Sequence, residues 1–175
     1  MPRNKLGLNH ILALVSLIAL IWLAPLLLAQ GNALIMPGEG VGVLRLGEPI
    51  SFVKQDLENV DPSTSRLIEE GGQRKVALSY RNHGLTLIFD FKTKQLGKII
   101  VQSQRLLVEN TGIHVGSRAS DVVRYFKDPV KGSENEMDYP QLGINFILDK
   151  SGMTISAIEV KPAVVRAKAV GSDPL

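Results

Sequence analysis

Cysteine is absent from all 175 residues. That absence excludes disulfide staples, thiolate zinc sites, cysteine nucleophiles and a lipid-bearing cysteine. Acidic residues are missing before Glu39, while Arg3 and Lys5 lie in that stretch. Setting those two aside from the twenty basic residues leaves eighteen against seventeen acidic ones. The sequence pI of about 9.2 is therefore largely a property of the N-terminus, and nucleic acid is not an expected partner. Aromatic residues are scarce at 5%, yet 45% of the chain is hydrophobic, as in a folded protein rather than a disordered one.

Polar residues are nearly absent from Ile11 to Ala29, where only Ser16 and Pro25 fall outside the apolar set. As a helix this run would reach roughly 28 Å, about the hydrocarbon thickness of a bilayer. Positive charge before it and none close after it predict a cytoplasmic N-terminus and an extracytoplasmic remainder. Residues 1–33 thus read as a membrane anchor or signal segment, running from Ile11 to Ala29 with Trp22 toward the outer interface. Gly31-Asn32-Ala33 offers a small-x-small cleavage site, so a retained single-pass anchor in a bacterial inner membrane and a cleaved signal both stay open. Residues 34–42 hold Gly38-Glu39-Gly40-Val41-Gly42, read as a flexible tether. A phosphate-cradling loop would need a strand before it and a helix N-terminus after it.

Beyond the tether the sequence repeats itself. Residues 80–101 align without a gap to residues 139–160, an offset of 59, and six of the 22 positions are identical. Average composition would give roughly one or two by chance. A second match, at an offset of 69, sets Leu44–Val53 against Ile113–Val122. The difference places ten extra residues inside the first unit, where Asp61–Ser65 and Glu69–Gly72 read as loop.

Each unit predicts a short strand (43–46; 113–115), a helix (49–57; 117–126) and an alternating hairpin. Pro49 is tolerated in a first turn and Ser117 is a natural N-cap. Val122, Val123 and Phe126 carry the burial spacing of the second helix, and Asp128-Pro129 stops it. In the first hairpin Leu85, Leu87, Phe89 and Phe91 share one face. The expected class is α+β: an N-terminal transmembrane helix, then two tandem β-α-β-β(-β) units with antiparallel sheet. The boundaries are 43–107 for the first repeat, 108–161 for the second and 162–175 for a C-terminal tail. A unit this small buries a thin core alone, so one shared core or one continuous sheet is expected.

The order glycine, Ser or Pro, short helix, Asp-Pro, Tyr-x-x-x-Gly and hairpin resembles the outer-membrane assembly lipoproteins of the SmpA/OmlA type. Tandem copies resemble the β-lactamase inhibitor protein architecture. The resemblance covers about residues 43–101 and 113–160. It implies a non-enzyme that binds other proteins through its sheet face and loops. The lipid-attachment cysteine of the lipoproteins is missing here.

No constellation for catalysis, cofactor or metal stands out. His10 borders the apolar run, His83 sits in a predicted turn and His114 in a short strand, none with a ligand partner at i+2 or i+4. Asp90 and Asp149 occupy equivalent hairpin turns, where Asp serves local backbone bonding. Glu134, Glu136 and Asp138 read as a solvated cluster. Tyr80 and Tyr139 each precede a glycine by four residues. Either their rings cap the core with wet hydroxyls or, with His83, they contact a protein partner. Residues 161–170 carry Lys161, Arg166 and Lys168 without an acid, suited to anionic lipid or to a frayed end.

The function expected is a non-catalytic, membrane-anchored interaction module, an accessory or assembly subunit of an integral membrane complex, respiratory or photosynthetic. Membrane lipid would be met through the N-terminal helix. A periplasmic inhibitor or sensor released by cleavage is the alternative, and a small-ligand binder or enzyme using a cleft between the units is a third.

Overall fold

A computed structural model of the chain describes residues 33–57, 60–129 and 133–164. Short strands β1 (Leu34–Met36), β2 (Gly40–Val41) and β3 (Leu44–Arg45) lead into helix α1 (Ile50–Asp56). Strands β4 (Thr64–Glu70), β5 (Gln73–Tyr80), β6 (Leu85–Asp90) and β7 (Leu96–Val101) complete the first repeat. After β8 (Leu107–Val108) come helix α2 (Ala119–Phe126) and strands β9 (Glu136–Tyr139), β10 (Ile144–Leu148) and β11 (Ile155–Val160).

The larger sheet runs β4-β5-β6-β7-β11-β10-β9, antiparallel throughout. The repeats meet at β7 and β11, where Ile100 pairs with Glu159, its own counterpart 59 residues on. Val101 faces Ile158 and Ile99 faces Val160 on either side. That register relates the repeats by a local two-fold axis between Ile100 and Glu159. Both offsets recur in the hydrogen bonds. Gly47 N–H donates to the Leu96 carbonyl at 2.7 Å, as Gly116 does to Ile155 at 2.8 Å. Ile50 donates to Lys94 at 3.0 Å, and Ala119 to Met153 at 2.8 Å. Each helix is thereby tied by its N-terminus to the hairpin turn of its own repeat.

One face of this sheet carries the core. Leu85, Leu87 and Phe89 alternate inward, joined by Ile99, Val101, Ile144, Phe146, Ile158 and Val160, with Val53 and Val122 arriving from the helices. Phe126 lies 5.4 Å from the Tyr139 ring and 5.6 Å from Phe146, centroid to centroid. The small sheet, ordered β3-β2-β1-β8, adds Ile35, Val41, Leu44 and Val108 to the same core. One core shared by both repeats resolves the size problem that each would face alone.

Several expectations are corrected. The described chain is mostly β rather than α+β, because three stretches read as irregular form strands, one of them β9, which holds Glu136 and Asp138 of the supposed solvated cluster. Thr64, Ser65, Glu69 and Glu70, read as loop, belong to a strand over Thr64–Glu70, which Gly71 and Gly72, both at positive φ, close onto β5. The supposed tether at 34–42 is a hairpin whose Ile35 and Val41 are buried. The strand expected at 113–115 does not form, although Ile113 and Val115 are buried. Ser117 is not the N-cap of α2. That place belongs to Arg118, while the Ser117 hydroxyl accepts from the His114 amide at 3.0 Å. Val123 is exposed rather than buried.

No helix among the described residues is long and apolar enough to cross a membrane. The longest, α2, has eight residues and spans roughly 12 Å, under half a bilayer core. The transmembrane helix, the signal-anchor and the single-pass inner-membrane placement are thus carried by no described element. Ile11, Trp22 and Ala29 lie outside the described residues, as do residues 165–175 of the tail.

Candidate functional site

The tyrosines settle first. Tyr80 and Tyr139 are buried, each on the core side of its strand. The Tyr139 hydroxyl donates to the Lys127 carbonyl at 2.7 Å. The Tyr80 hydroxyl finds no partner among the described protein atoms. Burial pushes both phenols above their ordinary pKa, helped by Asp61 near Tyr80 and by Asp128 near Tyr139. Each repeat therefore sets the carboxylate of an Asp-Pro pair near its tyrosine. Neither ring presents a surface to a partner.

The glycine four residues after each tyrosine is required by geometry. Gly84 has φ +63° and Gly143 has φ +68°. An added Cβ would lie 2.8 Å from the Ser103 nitrogen in the first case and 2.2 Å from the Lys161 carbonyl oxygen in the second. Their carbonyls accept equivalent bonds, from Gln102 at 2.7 Å and from Lys161 at 2.9 Å. His83 lies exposed in the intervening turn. His114 is half-buried with Nδ1 2.7 Å from the Val115 carbonyl oxygen. Among the described residues no three His, Cys, Asp or Glu side chains gather as a metal-holding group. Asp90 and Asp149 accept turn amides, as expected of hairpin aspartates.

The face of the large sheet turned away from the core holds what sequence reasoning missed. A row crosses all seven strands in register: Thr64, Ser79, Thr86, Ile100, Glu159, Asn145 and Asp138. In the second repeat this row is engaged only in part from within the chain, since Asn145 Oδ1 is buried with no hydrogen-bond partner among the described residues. Lys161 pairs with Asp138 at 2.8 Å, and Asn145 Nδ2 donates to Glu159 at 3.3 Å. At the junction Lys98 bonds Glu70 and faces Glu159 at 3.7 Å. Burial alone would lower the Lys98 pKa, but the two carboxylates outweigh it and hold the ammonium above its usual value.

The first repeat differs. Here an open groove of about 390 Å³ is lined by Thr64, Arg66, Ser79, Arg81, Gly84, Leu85, Thr86 and Gln102. The Ser79 and Thr86 hydroxyls lie 3.2 Å apart on its floor. No carboxylate lines it, and neither Arg66 nor Arg81 makes an ion pair among the described residues. At the equivalent places the second repeat has Asp138 for Ser79, Pro140 for Arg81, Asn145 for Thr86 and Lys161 for Gln102. Arg66 has no equivalent among the described residues, where the second repeat gives the large sheet three strands and the first gives it four. A further cavity of about 370 Å³ lies at the hairpin tips around Phe91. There the Arg74 guanidinium and the Lys94 ammonium already cover the Phe91 ring, at 4.5 and 4.1 Å from its centroid.

No family model matches this sequence, and no curated protein matches it. A solved structure does: the crystal structure of the uncharacterized protein YfeY from Escherichia coli. Its TM-score is 0.51 at 17% identity, covering 72% of this chain and 98% of that one. The two share a fold. At that identity the likeness concerns the fold alone.

Proposed function

We propose that this chain is a non-catalytic protein-interaction module whose contact surface is the outer sheet face of its first repeat. One observation carries the reading: the groove beside Arg66 and Arg81 is open and unneutralised, while the equivalent surface of the second repeat is closed by its own ion pair. Hydrogen-bonding capacity left unused on a surface is available to a partner, whereas capacity spent internally is not. The resemblance to SmpA/OmlA-type and β-lactamase inhibitor-like repeats supports the same reading, since such proteins engage partners through the sheet face and loops. The partner is a protein, either an assembled complex that this chain accompanies or a single target that it inhibits or senses.

The test is face-selective photo-crosslinking in the native cell. A photoreactive residue at Thr64 or Gln102, on the outer face, is expected to give a discrete protein adduct. The same residue at Phe52 or Val123, exposed on the helices, is expected to give none. Adducts from the helix positions alone would overturn the assignment.

A further inference from the structure

We infer that the first-repeat groove recognises a carboxylate-bearing segment, so that the partner presents an acidic stretch to Arg66 and Arg81. This inference rests on the interaction reading above and specifies the chemistry of its ligand. Two guanidiniums border one groove, with ten N–H donors between them and no acceptor of opposite charge along its lining. A guanidinium fork matches a carboxylate by two parallel N–H to O bonds, and such charge-assisted bonds are stronger than neutral ones. The lining adds the Thr64 hydroxyl, the one hydroxyl of the bonded Ser79–Thr86 pair whose proton is not used between them, and the Gln102 amide, each able to donate to an anion.

The backbone fixes the two arginines from different elements. Arg66 stands on β4, in register with Ala77 of β5. Arg81 opens the turn after β5, and its own amide donates to the Ser63 hydroxyl at 3.2 Å, which ties that turn to the start of β4. The longer connection of the first repeat thus builds β4, which brings Thr64 and Arg66 to the groove. The second repeat supplies an internal reference for the chemistry. At its matching position Asp138 is a carboxylate on the same face, and it is met by Lys161 at 2.8 Å. The fold thus holds a carboxylate against a cation at that place once already, from within the chain. In the first repeat the equivalents are Ser79 and Gln102, neither of them charged, and the cations stand beside them as Arg66 and Arg81, with the carboxylate left to a partner.

The test uses the full-length chain and hexaglutamate as probe, with hexalysine as control. Backbone amide shifts are followed by NMR, and affinity by calorimetry at two salt concentrations. Hexaglutamate is expected to move the amides of Thr64, Ser79, Arg81, Thr86 and Gln102, and to bind more weakly at high salt. Arg66→Ala and Arg81→Ala should each lower its affinity about tenfold, with the remaining amide spectrum unchanged. Both residues are exposed, so these variants are expected to fold. Binding unaffected by either substitution, or shifts confined to Arg74, Lys92 and Lys94, would overturn the inference. Repeating the cellular crosslink with the double variant separates the two claims. An adduct that survives at Thr64 and Gln102 refutes the acidic ligand and leaves the interaction module standing. Absence of any outer-face adduct with the native arginines refutes the module itself.

Discussion

The two repeats share a frame and differ on one face. On the core side their equivalents are interchangeable in kind: Leu87 with Phe146, Leu85 with Ile144, Ile99 with Ile158 and Val101 with Val160, all buried. Even the sheet irregularity is duplicated, since both repeats shift register after equivalent residues, Ile88 and Ile147. On the outer side Asp138 and Asn145 stand at the places of Ser79 and Thr86, and proline at the place of Arg81. The lesson is that packing holds one set of positions in place, whereas the outward positions are free to acquire separate work. The second repeat meets its outer carboxylate Asp138 with its own Lys161, and the first leaves Arg66 and Arg81 without an ion pair among the described residues.

The largest expected effect tests whether the frame is shared. Phe146→Ala removes a fully buried ring and should cost about 3–5 kcal/mol. Because β7 and β11 join the repeats in one sheet, denaturant unfolding followed by a probe in each repeat should give one coincident transition. Two separate transitions would break the shared-core account.

Glycine substitutions sharpen the comparison next. Gly84→Ala and Gly143→Ala both force a side chain into left-handed backbone, and each should cost more than about 1 kcal/mol. Gly143→Ala should be the worse, since its Cβ would press on a backbone oxygen at 2.2 Å rather than on a nitrogen at 2.8 Å. Equal melting temperatures for the two variants would contradict that ranking.

The tyrosines make a finer pair. Tyr139→Phe loses a bond to the Lys127 carbonyl and should destabilise by about 1 kcal/mol. Tyr80→Phe removes a buried hydroxyl that has no protein partner, so its effect should lie within about 0.5 kcal/mol of zero or be stabilising. Chemical denaturation of both variants decides this, and a larger loss at Tyr80 would refute the hydrogen-bond assignment.

The smallest effect is a pH dependence common to both repeats. Hydrogen bonds hold two turn carboxyls below the ordinary range. At Asp90 the Thr93 amide is the leading cause, and at Asp149 the Ser151 hydroxyl. A carboxyl lowered on folding adds stability above its unfolded pKa of about 3.9, which is lost as pH falls through the lower folded value. Asp90→Asn and Asp149→Asn should each flatten the acid limb of the stability curve and leave its neutral region less changed. An unaltered acid limb would show that the turns do not titrate with folding.

Much of the frame was legible in the chain. The offsets of 59 and 69 located both hairpins and both helices, because turn residues and apolar alternation leave marks at fixed positions. The fourth strand was not legible. Thr64–Glu70 carries no alternation and is flanked by Asp61-Pro62 and Gly71-Gly72, so its punctuation outweighed its β-branched residues. It is an edge strand, held by pairing with β5 more than by burial. Missing it concealed Arg66 and with it the groove.

The tyrosines were left between core and contact surface, although the pairing pattern decides between the two. Tyr80 lies opposite Leu85 across the tight turn, and Tyr139 opposite Ile144. Opposed residues share a face, so the inward parity of Leu85 already assigned both rings to the core. The same parity places Ser79 and Thr86 outward, a signal that alternation alone could have supplied.

The central claim is that the first repeat binds its partner through Arg66 and Arg81, and that the second repeat does not bind. The most direct measurement compares two double variants in the cellular crosslinking experiment, reading the adduct from a photoreactive residue at Gln102. Arg66→Ala with Arg81→Ala strips the open groove, and Asp138→Ala with Lys161→Ala strips the closed one. The account predicts loss of the adduct in the first variant and retention in the second. Retention in the first, or loss in the second with the fold intact, would contradict it.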